Sequence, residues 1–251
     1  AGKNHRQPDR LSPGVAVALS ARSLDKQNYV YILTFKNLME GAFMITIHHL
    51  NNSRSQRVLW LLEELELDYR IQHYQRDSQT NLAPPELLSV HPLGKSPVLT
   101  DDQQTVIESG AIIDYIVRHY GDGRLVPSPE TSDYEEYLQW LHYAEGSAML
   151  PLMLKLYTGF LPDSGEALRP RITSELDTHL GYVNAALEGR DWLVNNTFSA
   201  ADVQLSFVPQ VAQKLYTLDP FPNLASFLQR IHARPAYQRA LTRGGLYTLG
   251  D

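Results

Sequence analysis

The 251-residue sequence contains no cysteine. That excludes disulfides, thiolate metal sites and a protein thiol nucleophile, so any sulfur chemistry must come from a bound small molecule. No apolar run approaches the roughly 18 to 20 residues of a membrane span, and a membrane is not an expected partner. A basic excess is also missing. The formal net charge of -6 argues against the concentrated positive face that nucleic acid needs, so nucleic acid is not an expected partner either. Among the nine histidines there is no HExxH or similar spacing. His48 and His49 are adjacent and point to opposite faces of a strand, and no metal site is expected. What is present is ordinary for a globular chain, 43% hydrophobic and 20% charged residues, with no internal repeat. The length suits two domains of about 100 to 150 residues each.

Residues 1–43 differ from the rest. Lys3 to Ser12 is polar, and Gly14 to Ala21 is small and weakly apolar. A secretory leader is one reading, but Pro13 and Gly14 interrupt the apolar stretch. The favoured reading is an N-terminal extension that is dispensable or artificial, with Met44 as the true start, because a regular pattern begins there. MITIHHL alternates as a strand, and Asn51 to Ser55 supplies polar capping residues before a helix carrying Val58, Leu61, Leu62 and Leu65 at helical spacing. Glu63, Glu64 and Glu66 fall elsewhere on that wheel. YRIQHY, Tyr69 to Tyr74, alternates again and completes a βαβ unit.

An irregular connection runs from Arg76 to Leu93, with a short helix at Pro85 to Val90. PVLT and TVIE, separated by Asp101 to Gln104, form a hairpin, so the sheet is mixed. After Ser109, Ala111, Ile112, Tyr115, Ile116 and His119 share a helical face that Gly121 ends. These elements define a domain at 44–123. A Pro-containing linker follows at 124–131, and an all-helical domain occupies 132–251. Its helices are expected at Tyr134 to Leu156, Arg169 to Leu187, Ala200 to Leu215 and Asn223 to His232, with a last turn at Pro235 to Leu241. Within FSAADV, Ser199 as N-cap and Asp202 three residues on predict a capping box, with Phe198 and Val203 as its hydrophobic staple.

Four stretches in this order, NNSRSQRVLWLLEEL from Asn51, HPLGKSPVL from His91, ESGAIIDYI from Glu108 and FSAADV from Phe198, resemble the soluble glutathione transferases, most closely their bacterial and fungal members. The resemblance covers Met44 to about Leu246. It implies an α+β thioredoxin-like N-terminal domain (βαβ-ββα) followed by an all-α bundle. It also implies glutathione as co-substrate, a small electrophile as second substrate, a homodimer and a cytoplasmic location. The activity implied is transfer of an alkyl or aryl group to the glutathione sulfur, with peroxide or disulfide reduction as a further use. A non-catalytic binding or scaffold protein of the same fold is the alternative.

The residue chemistry agrees. Glutathione's γ-glutamyl end bears a carboxylate and an ammonium. Ser109 at a helix N-terminus offers a hydroxyl, free N–H groups and the positive end of the helix dipole, and Glu108 can accept from the ammonium. Read without the resemblance, Ser109 is an N-cap and Glu108 a surface charge. The resemblance implies a cis Ser96–Pro97 bond that turns the Val98 backbone toward the cysteinyl moiety, and Lys95 is placed for the glycyl carboxylate. A free thiol with a pKa near about 8.5 is only a few per cent ionised at neutral pH, so the protein must stabilise the thiolate. Members of the family use Tyr, Ser or Cys for this. Here the position falls on Asn52, with the Ser53 hydroxyl adjacent and backbone N–H groups as the remaining donors. Trp140, His142, Tyr143, Glu145 and Met149 lie on the first helix of the second domain. They read as plain core or as acceptor-pocket lining, and Tyr143 is the acceptor-site candidate.

Overall fold

Alternation in ITIHHL produces β1, Ile45–Leu50, whose inward Ile45, Ile47 and His49 are buried while Thr46 and His48 are only partly covered. In the computed structural model, residues 45–161 and 165–249 are described, and the expectations about residues 1–43 and a start at Met44 lie outside them. Helix α1, Ser55–Glu64, carries the chain to β2, Tyr69–Tyr74, which pairs parallel to β1 with Ile47 opposite Ile71. The predicted hairpin forms as β3, Val98–Asp101, and β4, Gln104–Ile107, with Asp102 in the turn at φ 51°. β3 runs antiparallel to both β1 and β4, giving the mixed order β2-β1-β3-β4. Helix α2, Ser109–Tyr120, ends the first domain and Gly121 caps it. This is the thioredoxin-like half that the sequence predicts.

Among its described residues the second domain is built of helices and their connections, one of which carries an isolated bridge between Val194 and Thr197, and two helices have interruptions that the periodicity does not reveal. The helix expected at Tyr134 to Leu156 divides into α3, Ser132–Tyr143, a π-helical turn, Ala144–Ala148, and α4, Met149–Thr158. Pro151 is the physical reason: it has no N–H for the Ser147 carbonyl, and its ring crowds that turn. The helix expected at Ala200 to Leu215 likewise divides into α6, Ala200–Leu205, and α7, Phe207–Leu215, with Pro209 unable to bond back to Leu205. Between them lie α5, Arg169–Ala186, and the FSAADV capping box, which forms as predicted. The Ser199 N–H and hydroxyl both reach Asp202 Oδ2, at 2.8 and 3.1 Å. α8, Pro222–His232, and α9, Pro235–Gly244, complete the bundle.

Helix α1 joins the halves. One side packs on β1 and the other on α6 and α9, so every residue from Ser55 to Glu63 is buried, polar ones included. Trp60, Leu59, Leu61 and Leu62 are fully covered, each worth about 1.5 to 3 kcal/mol of burial. The acidic end does not face solvent as its place on the wheel suggests. Glu63 accepts from Tyr69 Oη at 2.8 Å and from Arg239 and Arg243 at 2.9 Å, while Arg234 holds Glu64 with bonds of 2.5 and 2.8 Å. Burial alone would raise the Glu63 pKa, but the bonds from Arg239, Tyr69 and Arg243 outweigh it and lower it.

Candidate functional site

The antiparallel pairing of β1 with β3 stops at His48 opposite Val98, and the chain turns away through Pro97, preceded by a cis peptide bond. Ser96 completes the ladder with its side chain. Its Oγ donates to the His48 carbonyl at 2.8 Å and accepts the Leu50 N–H at 3.2 Å. The hydroxyl's proton is thereby committed inside the sheet edge, and the backbone of Ser96 and Pro97 is what this corner offers to a ligand. Val98 itself is 1% exposed and paired with His48 and Ile107, so it backs the site rather than lining it.

The same corner opens a cavity of about 260 Å³ lined by Arg54, His91, Lys95, Ser96, Pro97, Glu108, Ser109 and Glu145. Four sequence-predicted residues, Lys95, Pro97, Glu108 and Ser109, thus meet in one place. Lys95 and Glu108 are exposed and make no ion pair among the described residues. Glu108 sits at φ 65°, ψ 120°, a conformation that costs a non-glycine residue about 1 to 3 kcal/mol and that accumulates at ligand clamps. Ser109 is 3% exposed, and its oxygen accepts from Arg57 Nη2 at 2.7 Å and Gln204 Nε2 at 3.4 Å. With both acceptor positions filled, what Ser109 presents is its O–H proton, polarised by the guanidinium behind it.

Arg57 and Arg54 meet at Glu145 on the π-helical turn. Arg54 Nε donates to both carboxylate oxygens at 2.8 and 2.9 Å, and Arg57 Nη2 pairs with one of them. Burial would raise the Glu145 pKa, but Arg57 and then Arg54 overcome it, so Glu145 stays a carboxylate. Neither arginine stands out in the sequence. Their spacing of three at the start of α1, inside NNSRSQR, is the one signal that both face the same neighbour.

A larger cleft of about 520 Å³ adjoins this cavity and shares Arg54, Lys95 and Ser96 with it. Its polar end is the loop carrying Asn52 and Ser53. Its other wall is apolar: Met153, Leu156, Tyr157 and Phe160 from α4 and its end, Phe207, Val211 and Leu215 from α7, and Leu249. Tyr157 and Phe160 are 58% and 72% exposed, large aromatic faces that no part of the described fold covers. Sequence reasoning missed this wall because it read α3 and α4 as one helix. Tyr143 is not brought to it. It lines a separate concavity with Trp140, His142 and Tyr182, and its hydroxyl is hydrogen-bonded to His179 Nδ1 at 2.7 Å.

Known proteins share this fold. Residues 44–118 match the family model described as glutathione S-transferase, N-terminal domain, and residues 155–240 match glutathione S-transferase, C-terminal domain. The chain is 32% identical over 211 residues to glutathione S-transferase 3 of Schizosaccharomyces pombe, covering 77% of this chain and 85% of that protein. The chain belongs to the glutathione S-transferase family. Among solved transferases, one from Actinobacillus pleuropneumoniae shares 34% identity at a TM-score of 0.75, covering 80% of this chain and 93% of that one. Another, from Phanerochaete chrysosporium in complex with oxidized glutathione, shares 26% identity at a TM-score of 0.69, covering 82% and 98%. Among the described residues of this transferase-family chain there is no cluster of three metal-ligating side chains and no helix long and apolar enough to cross a membrane.

Proposed function

We propose that this protein binds glutathione in the smaller cavity and presents its thiolate to small, largely apolar electrophiles in the adjoining cleft. The observation that carries the reading is Ser109. A buried hydroxyl whose acceptor positions are filled, at a helix N-terminus and with Arg57 behind it, suits a carboxylate, and the unpaired Glu108 beside it suits an ammonium. That pair of charges is the γ-glutamyl end of glutathione. Lys95 then takes the glycyl carboxylate, and the backbone at Ser96 and Pro97 takes the cysteinyl moiety in strand fashion. The sulfur lies toward the loop of Asn52 and Ser53. There, donors stabilise the thiolate, which attacks an electrophilic carbon on the apolar wall as the leaving group departs with its electron pair.

A second use is favoured by the relative crystallised with oxidized glutathione, since a disulfide of that size suits an open cleft. A cysteine-free protein would then reduce disulfides with glutathione alone. Turnover of an aryl halide with glutathione tests the main reading. Halide release that depends on both is expected. Retention on a glutathione resin with no turnover of aryl halide, peroxide or disulfide leaves a binding protein, and failure to be retained removes the reading altogether.

A further inference from the structure

The loop before α1 is held from three directions. Arg76 donates to the carbonyls of Asn51, Asn52 and Asn81 at 3.2, 3.2 and 3.0 Å, and its own N–H is received by Asn51 Oδ1 at 2.8 Å. Asn52, at φ 50°, therefore has a fixed backbone in the left-handed region that asparagine tolerates. Its side chain is fixed by the far end of the chain. After α9, Gly245 turns at φ 84°, and Tyr247 is buried with its hydroxyl donated to Gln210 Oε1 at 2.6 Å. The next residue reaches the loop: the Thr248 N–H donates to Asn52 Oδ1 at 2.8 Å, and its hydroxyl adds a second bond at 3.3 Å.

A backbone N–H is only ever a donor, so the group facing Thr248 must be the amide oxygen. The Asn52 –NH₂ is then on the opposite side, without an acceptor among the described residues, on a residue that lines the cleft. Ser53 is committed differently. Its Oγ lies 2.7 Å from Ser55 Oγ, which lies 2.8 Å from His49 Nδ1. Ser55 Oγ also faces the Leu50 carbonyl at 3.3 Å. The single Ser55 proton goes to that carbonyl or to His49, and in either case Ser53 must donate to Ser55. Ser53 Oγ also accepts the Ser55 N–H at 3.2 Å. Its proton points into the protein.

We propose that Thr248 is a positioning residue for thiol activation: by holding Asn52 Oδ1 it turns the Asn52 amide N–H toward the glutathione sulfur, while Ser55 withdraws the Ser53 proton from that role. This rests on the reading of the cleft as the glutathione thiol site.

The test is the thiolate absorbance of bound glutathione against pH, in the full chain. Thr248→Pro, which removes both donors, and Asn52→Ala should each raise the bound thiol's pKa by about one, a tenfold loss of thiolate at a given pH below it. The double variant should rise no further than either single one. Thr248→Ser should restore the wild-type curve, and Ser53→Ala should leave it unchanged. Asn52→Asp keeps the tail intact and sets a carboxylate oxygen where the amide N–H was, so its rise should exceed that of Asn52→Ala. An unchanged curve for Thr248→Pro, additive effects in the double variant, a raised curve for Ser53→Ala or an Asn52→Asp rise no larger than that of Asn52→Ala would overturn the assignment. A wild-type protein that binds glutathione without lowering its thiol pKa, or does not bind it, overturns the thiol-site reading and the positioning together.

Discussion

Arg57 Nη2 donates to Ser109 Oγ at 2.7 Å, joining the helix that enters the second domain to the residue that opens α2. The guanidinium is also bonded to the Gln204 carbonyl and to Glu145, and its side chain is 1% exposed. Arg57→Met should therefore destabilise the fold by about 3 kcal/mol, because Glu145 and the Ser109 oxygen lose a buried partner. In a chain of this size that corresponds to a fall of roughly 6 to 12 °C in Tm. Adding Glu145→Gln should recover part of the loss, and a Tm within about 2 °C of wild type for Arg57→Met would contradict this account.

Glu108 connects strain with binding. Glu108→Gly removes the cost of its backbone conformation, so Tm should rise by the equivalent of about 1 kcal/mol. Glutathione binding should weaken by about 1 to 3 kcal/mol as the ammonium loses its partner. Calorimetry and thermal melting on one preparation check both. A lower Tm, or unchanged affinity, would separate the strain from the site.

Stability should respond to acid in two opposed ways. Burial, with His73 assisting, lowers the His49 pKa to about 4 from 6.5. The unfolded chain takes up that proton first, so His49 removes stability as pH falls from 6.5 toward 4. Burial raises Asp202 to about 6 from 3.8. The native state takes up that proton first, so Asp202 adds stability over the window from about 6 down to 3.8. The two contributions oppose each other over the shared window. Glu63 and Glu145, both lowered, lose their stabilisation only below their ordinary pKa of 4.5. His49→Gln should then be more stable at about pH 4.5 than at pH 7, and Asp202→Asn less so, when Tm is measured at both.

A chain beginning at Met44 is expected to fold and bind glutathione, since every motif of the site lies beyond it. The protein is expected to form a two-fold dimer, the commonest arrangement of soluble oligomers. A Tm several degrees lower in the shortened chain, or a light-scattering mass of one chain at micromolar concentration, would count against the respective expectation.

The sequence carried what local chemistry encodes. Strand alternation and the capping box at Ser199 and Asp202 depend on neighbours within a few residues, and each is found where the pattern puts it, while Lys95, Pro97, Glu108 and Ser109 line one cavity. What it hid depends on partners far away along the chain. Glu63 and Glu64 show in the sequence only as lying off the apolar face of their helix, and their partners come from Arg234, which caps α9, and from Arg239 and Arg243 on it. Thr248 carries no motif, yet it bonds a residue 196 positions earlier. Tyr143 lies on α3, ahead of the π-helical turn, and lines a different concavity from the apolar wall that α4 builds beyond that turn. Val98 is paired on both sides within the sheet, and Ser96 is the residue of that corner that lines both cavities.

Titrating glutathione into the wild-type protein and into Ser109→Ala, by calorimetry at about neutral pH, tests the central claim most directly. On the proposed reading Ser109 presents a polarised O–H to the γ-glutamyl carboxylate, so the variant should bind more weakly by about 1 to 3 kcal/mol, roughly 5- to 150-fold, and its Tm should fall as Arg57 and Gln204 lose a buried acceptor. Equal affinity in the two proteins, or no binding by the wild type, would contradict the account.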